Sequence, residues 1–280
     1  MSEPLHVDLR DLRPPEEAPE GERADGEPGR GRRRRPSRPR TWLEGGTSVQ
    51  LWGWELIGWA VLGLGAGLIA AAALNEFAPQ PLGSTLALVV VWVAFAVPVG
   101  FALARSRPRA LLRFRPLDLL YGIVLGMLLR TVQGWLAIAA GGTGAWPSYG
   151  GALPSGWLFD QVIAAIVIGP VLEELFFRGL VLVAVYTAVR RIAGKGMAAF
   201  AATLVSTGLF VIAHALLTPL TWDATVALAL VAIVNCLIVL STGRIWGAVI
   251  AHIVYNGLWV ALATVGTLLG GSAGTGATLG

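Results

Sequence analysis

The stretch Val171-Leu-Glu-Glu-Leu-Phe-Phe-Arg-Gly-Leu180 places two adjacent carboxylates and an arginine inside an otherwise apolar run. Each ionisable side chain at the centre of a membrane helix costs roughly 2.5–3.5 kcal/mol on insertion scales. Three such groups close together therefore indicate that the protein needs them for its structure or function. Residues four apart share a helix face, so Glu174 and Arg178 are predicted to form an ion pair. Glu173 points to another face without a local partner, which favours the role of a general base.

The composition around this stretch is that of a membrane protein. Of the 280 residues, 55% are hydrophobic and only 14% are charged, and the mean hydropathy is +0.68. Soluble domains carry about 25% charged residues, so this chain has too few for a water-exposed surface. The single cysteine, Cys236, lies in an apolar run and excludes a disulfide framework.

Seven hydrophobic runs follow one another, each near the ~20 residues that a bilayer core requires. We place them at residues 53–74, 84–104, 117–140, 158–186, 197–218, 224–242 and 245–269. Basic residues precede the first run and follow the second, fourth and sixth, whereas the other loops and the C-terminal tail contain none. The positive-inside rule then predicts an all-α integral membrane protein with about seven transmembrane helices and a cytoplasmic N-terminus.

The chain divides into four predicted segments. They are an Arg-rich tail that should be disordered, a set of N-terminal transmembrane helices, a catalytic transmembrane core and a flexible Gly-rich tail, at residues 1–44, 45–150, 151–269 and 270–280. Ten of the 21 basic residues precede Thr41. Such a block next to a membrane helix favours contact with anionic lipid head groups. No aromatic interleaving accompanies it, so we expect no nucleic-acid partner.

Few other side chains within the apolar runs can do chemistry. His214 lies in the fifth run, and His252 and Asn256 share one face of the seventh. A lone histidine or amide in a membrane is more often an interhelical hydrogen-bond partner, but these residues and Glu173 come from three helices and indicate one polar pocket. Arg130 could join the glutamates or meet a substrate carboxylate, and a structural role is favoured. Asn235 and Gln133 are further polar residues of the spans without an assigned role.

Three short motifs occur in order on separate apolar runs: Glu-Glu-x-x-x-Arg at 173–178, Phe-x-x-x-His at 210–214 and His-x-x-x-Asn at 252–256. In this order and at these spacings the chain resembles the CAAX protease and bacteriocin-processing family, also called the abortive-infection family. That family comprises intramembrane endopeptidases and includes the Ras-converting enzymes. The resemblance covers roughly residues 155–265. Members of the family usually have eight transmembrane helices, so an eighth helix beyond the seven runs is a possibility that stays open.

The resemblance implies a role for each motif residue. Glu173 and His214 would activate a water molecule, and His252 and Asn256 would donate hydrogen bonds to the oxyanion on the scissile carbonyl. Glu174 and Arg178 would support the fourth run structurally. Family members have been described both as glutamate proteases and as metalloproteases. No cofactor is the preferred expectation, with zinc held by Glu173, His214 and His252 as the alternative.

The function expected from the resemblance is hydrolysis of a peptide bond in a membrane-associated protein or peptide, either CAAX-type proteolysis or bacteriocin processing and immunity. The substrate could be lipid-modified, and a bacterial plasma membrane is the expected location. Two alternatives stay open. A small transporter or channel would use the buried ionisable groups as an ion path. A non-catalytic immunity or scaffold protein would keep the fold without the activity.

Overall fold

The computed structural model describes residues 39–142 and 147–273, and those residues form an all-α integral membrane protein. Six continuous helical stretches are long and apolar enough to cross a membrane. We label the helices α1 to α7 in chain order: α1 Trp54–Phe77, α2 Leu82–Arg105, α3 Pro116–Ala139, α4 residues 158–193, α5 residues 195–217, α6 Trp222–Thr242 and α7 Trp246–Ala273.

Helices α4 and α5 form one continuous stretch of 60 residues, Leu158–Leu217, that reverses direction at Gly194. The Gly194 torsion angles are non-helical, at φ 78° and ψ 179°. On the far side of this break, Ser206 Oγ donates to the carbonyl of Phe177 at 2.9 Å. In an uninterrupted helix these two residues would be about 44 Å apart, so the chain must fold back. The stretch therefore provides two spans, and the described residues contain seven in all.

The winding of α4 changes along its length. It is π-helical over Leu158–Ile168, α-helical over Gly169–Glu174 and π-helical again over Leu175–Leu182. Pro170 at the first junction has no N–H to donate, so the regular hydrogen-bond ladder is interrupted there. Wide turns of this kind often occur at functional sites, and here both of them flank the two glutamates.

Glycines bring two pairs of helices into close contact, as the small-xxx-small spacing predicts. A Cβ on Gly67 of α1 would lie 2.3 Å from the Ala94 Cβ of α2. A Cβ on Gly122 of α3 would lie 2.5 Å from the Ile250 Cβ of α7. Neither distance is tolerable for real atoms, so a larger side chain at either position would push the helices apart.

The turn between α6 and α7 is buried beneath two segments that precede α1 and α3. Trp42 donates from Nε1 to the Gly243 carbonyl at 2.9 Å, and the Ile245 amide donates to Leu111 at the same distance. Trp42 is fully buried, and the described part of the chain begins at Pro39. Helix α7 therefore starts inside the protein, below a covering layer.

An ion pair that the sequence did not reveal fixes the same turn to α3. Arg244 donates from Nε and Nη2 to the Asp118 carboxylate at 2.7 to 3.0 Å, and Asp118 is fully buried. Asp118 also accepts from the Arg115 amide at 2.8 Å and so caps the start of α3. A two-point contact between an arginine and a carboxylate fixes orientation as well as distance.

The described C-terminal residues extend α7 to Ala273, so residues 270–273 of the predicted flexible tail are helical. Residues 274–280 and residues 1–38, which include most of the basic block, lie outside the described part of the chain.

Successive helices alternate in direction, which gives two ends with different charge. We call the end formed by residues 39–53, 105–116, 189–196 and 242–246 the basic end, because it contains ten Lys and Arg residues. We call the end formed by residues 75–84, 139–142, 147–160, 217–223 and 270–273 the acidic end. Its sequence contains Glu76, Asp160 and Asp223 and no Lys or Arg.

Candidate active site

Glu173 of α4 lies between the two histidines of α5 and α7. Its Oε2 atom is 3.9 Å from the His214 Nε2 atom and 3.8 Å from the His252 Nε2 atom. These separations are too long for direct hydrogen bonds, but one water molecule can bridge groups at such spacing. The Glu173 side chain keeps 18% of its surface exposed, so solvent reaches the gap. The three side chains meet as the motifs predict.

The second nitrogen of each imidazole is held by a fixed acceptor. The His214 Nδ1 atom lies 2.9 Å from the Phe210 carbonyl, and the His252 Nδ1 atom lies 2.9 Å from Oε1 of Glu174. A carbonyl or an ionised carboxylate can only accept, so each Nδ1 carries the proton and donates it. In the neutral rings both Nε2 atoms are then proton acceptors that face Glu173.

Glu174 is fully buried and organises a polar cluster behind the site. Its Oε1 atom accepts from His252 and from the Asn235 side chain of α6, each at 2.9 Å. The Arg178 Nη1 atom lies 3.1 Å from the same oxygen, within ion-pair distance but outside hydrogen-bond geometry. Glu174 thus forms the predicted i, i+4 ion pair and also orients His252, as a carboxylate commonly orients a catalytic histidine.

Asn235 is the member of this cluster to which the sequence assigned no role. Its side chain is fully buried, and its amide donates only to Glu174 among the described contacts. The only available signal was an amide in the middle of an apolar run, which by itself indicates no particular partner.

Aromatic rings lie between Arg178 of the buried cluster and His214 beside Glu173. The Arg178 guanidinium lies 4.6 Å from the centre of the Phe210 ring, and that ring contacts the His214 imidazole at 4.4 Å between centres. Phe177 packs edge-on against Phe210 at 5.2 Å. The buried cation is thus stabilised partly by a ring face, and the phenylalanine of the Phe-x-x-x-His motif fixes the plane of His214.

Asn256 faces the same side of the site as Glu173. Its Nδ2 atom donates to the Ala165 carbonyl at 2.8 Å, and both Asn256 and Glu173 line one cavity of about 430 Å³. The Ala165 contact leaves the second amide hydrogen of Asn256 for a ligand in this cavity.

Arg130 does not approach the glutamates, so a charge network with them is ruled out by its position. Its Nε and Nη2 atoms donate to the Tyr255 carbonyl at 2.9 and 2.6 Å, and its guanidinium stacks on the Tyr255 ring at 3.8 Å. Arg130 and the Tyr255 hydroxyl both donate to Oε1 of Gln133. This contact fastens α3 to α7 at the residue before Asn256.

The zinc alternative involves Glu173, His214 and His252, whose facing side-chain atoms are 3.8 and 3.9 Å apart. Zinc requires ligand atoms at about 2.0–2.2 Å around one point. Over residues 39–142 and 147–273, no three His, Cys, Asp or Glu side chains are grouped closely enough to hold an ion. The same three side chains form a carboxylate flanked by two oriented imidazoles.

Comparison with known proteins finds a family model that matches part of the chain. Residues 155–258 match the family model described as "Rce1-like: Type II CAAX prenyl endopeptidase Rce1-like". The match contains all three motifs and confirms the resemblance over this segment. No curated protein and no solved structure matches the chain.

Proposed function

We propose that the protein is an intramembrane endopeptidase that hydrolyses a peptide bond by a water molecule activated at Glu173. The match of residues 155–258 to the Rce1-like family model supports this proposal. The observation that carries the proposal is the position of Glu173, within 3.9 Å of two oriented imidazoles and on the wall of an open cavity. A transporter or channel does not require two histidines that are each held through Nδ1 and turn Nε2 toward one carboxylate.

In the first step a water molecule between Glu173 and His214 loses a proton to the carboxylate while its oxygen attacks the scissile carbonyl carbon. His214 accepts the second hydrogen bond of this water through Nε2 and so directs a lone pair at the carbon. A C–O bond forms, and the carbonyl oxygen becomes an oxyanion.

In the second step the oxyanion collapses. Asn256 donates one hydrogen bond to it. His252 donates another from Nε2 as an imidazolium that has taken this proton from solvent before the substrate binds and keeps it throughout the cycle, since Nδ1 is already committed to Glu174. The C–N bond breaks, and the proton held by Glu173 passes to the leaving nitrogen. The products are a carboxylic acid and an amine, and the enzyme returns to its starting state.

The proposed substrate is a membrane-associated protein or peptide, either a lipid-modified CAAX-type chain or a bacteriocin-like peptide. We place the enzyme in a bacterial plasma membrane with its N-terminus in the cytoplasm and its basic tail on anionic lipids. This orientation follows from the distribution of Lys and Arg.

The test is product analysis by mass spectrometry after purified protein in detergent meets a library of peptides. We expect new chain ends for the wild type and none for His214→Ala, which removes the acceptor that orients the water. The His214→Ala protein must still elute as a folded species. Cleavage that persists in this variant would come from a contaminant and would contradict the proposal, as would the absence of cleavage in the wild type.

The same assay with a chelator examines the metal alternative. Metal-free hydrolysis predicts unchanged product yield. Loss of activity with chelator and its return with zinc would overturn the metal-free mechanism while leaving the endopeptidase assignment in place.

A further inference from the structure

The cavity beside Glu173 reaches the surface at one end of the helices. Its inner wall contains Glu173 and Asn256, together with buried residues of α2 and α4. Its outer wall contains exposed residues near the ends of α1, α2, α4 and α5: Asn75, Ser84, Asp160, Leu217 and Thr218. All five belong to the acidic end as defined above, so the cavity opens there.

The length of α5 makes this route short. The helix ends one turn after His214, where the Thr218 amide donates to the His214 carbonyl at 3.0 Å. One turn of helix is about 5.4 Å. On the α5 side of the mouth, a peptide therefore passes about one turn of helix before it reaches His214.

The opposite route is closed. Every residue of α4 from 176 to 188 is buried, and the turn before α7 lies beneath the fully buried Trp42 and Leu111. A substrate that approached from the basic end would have to displace this packed layer.

The charge at the cavity mouth indicates which peptides it accepts. Asp160 is exposed and lines the mouth, and the sequence at the acidic end contains no Lys or Arg that could neutralise it. Asp160 is thirteen positions before Glu173 on α4, roughly 20 Å along a helix, which an extended peptide covers in about six residues.

We propose that this cavity receives, from the extracytoplasmic side of the membrane, an extended peptide segment with a Lys or Arg that pairs with Asp160. The basic end faces the cytoplasm because it contains the Lys and Arg residues of the described loops, so the cavity mouth faces outward. Cleavage of that segment rests on the function proposed above, whereas the direction of entry and the charge preference do not.

The direction of entry is tested by thiol labelling in intact cells. The chain has one cysteine, Cys236, which is fully buried, so the wild type serves as the unlabelled background. Ser84→Cys and Thr218→Cys place a thiol at the mouth, and Lys195→Cys places one at the exposed basic end as the matched control. With a membrane-impermeant maleimide we expect the two mouth positions to be labelled in intact cells and Lys195→Cys only after permeabilisation. The reverse pattern, or labelling of all three from one side, would overturn the proposal.

The charge preference is tested on the purified protein without any need for cleavage. A peptide with one lysine should slow labelling of Ser84→Cys by several-fold, and a peptide with glutamine in its place should not. A second substitution, Asp160→Asn, in the Ser84→Cys protein should abolish the difference in labelling between the two peptides. Asp160→Glu in its place should restore that difference. Equal protection by the two peptides, or protection by neither, would refute the cationic preference. If these results hold and no peptide is cleaved, the proposed function fails and the entry site stands.

Discussion

The first half of α4, residues 158–173, is largely half-exposed and lines the cavity, whereas residues 176–188 of the same helix are completely buried. Two adjacent glutamates mark the boundary between these halves. Glu173 has 18% of its side chain exposed and no polar partner closer than 3.8 Å among the described residues, while Glu174 is fully buried with an arginine, an amide and an imidazole around one oxygen. Neighbouring residues of the same type thus have opposite tasks: one remains free to take a proton, and the other is fixed.

The comparison predicts that Glu174→Gln has the largest effect, because it damages both the fold and the site. It leaves the buried Arg178 guanidinium without a counter-charge, which typically costs about 3–5 kcal/mol. It also removes the anionic partner of His252. The fraction of the variant that still folds should therefore have no cleavage activity. Chemical unfolding in detergent and the peptide assay measure the two losses.

The matched control for this variant is Glu55→Gln. Glu55 forms an ion pair with Arg105 at 3.0 Å, but the two side chains are 60% and 30% exposed. An exposed pair contributes about 0–1 kcal/mol, so the control should unfold almost like the wild type. Equal losses in the two variants would show that burial does not distinguish the two glutamates.

Glu173→Gln should affect activity alone. Removal of a general base lowers the rate by about 10²- to 10⁴-fold. Because no partner of Glu173 lies within hydrogen-bond distance, the free energy of unfolding should stay within about 0.5 kcal/mol of the wild type. The turnover rate and the unfolding curve of one preparation measure both. A stable variant with normal turnover would remove Glu173 from the mechanism.

Ser206→Ala should have the smallest effect and touch only the buried half. Its hydroxyl joins α5 to the Phe177 carbonyl of α4 and is fully buried. Loss of this hydrogen bond should lower the free energy of unfolding by about 1 kcal/mol and leave turnover unchanged. Thr225→Ala is the control, since its exposed hydroxyl returns to its own helix at Thr221. A large drop in turnover for Ser206→Ala would mean that the two halves of α4 are coupled.

Helical spacing and charge order were enough to predict the seven spans and the motif residues of the site. The i, i+4 spacing of Glu174 and Arg178 determines that ion pair within a single helix. Convergence of Glu173 with His214 and His252 followed from three polar positions on three apolar runs, together with the family resemblance.

Contacts between distant segments were beyond the reach of the sequence. The covered turn before α7 is one example, because nothing local in the sequence reveals that Trp42 and Leu111 lie over it. Asn235 escaped assignment for the same reason: its partner Glu174 lies 61 residues away. Both features depend on tertiary packing rather than on periodicity.

The torsion angles at Gly194 determine how the helical stretch Leu158–Leu217 spans the bilayer. The space around this residue would admit a Cβ, so only its backbone conformation requires glycine. Without that one bend, Leu158–Leu217 would form a rod of about 90 Å, three times the thickness of a hydrocarbon core. Because of this bend, α4 and α5 cross the bilayer in opposite directions, and Glu173 on one arm lies 3.9 Å from His214 on the other.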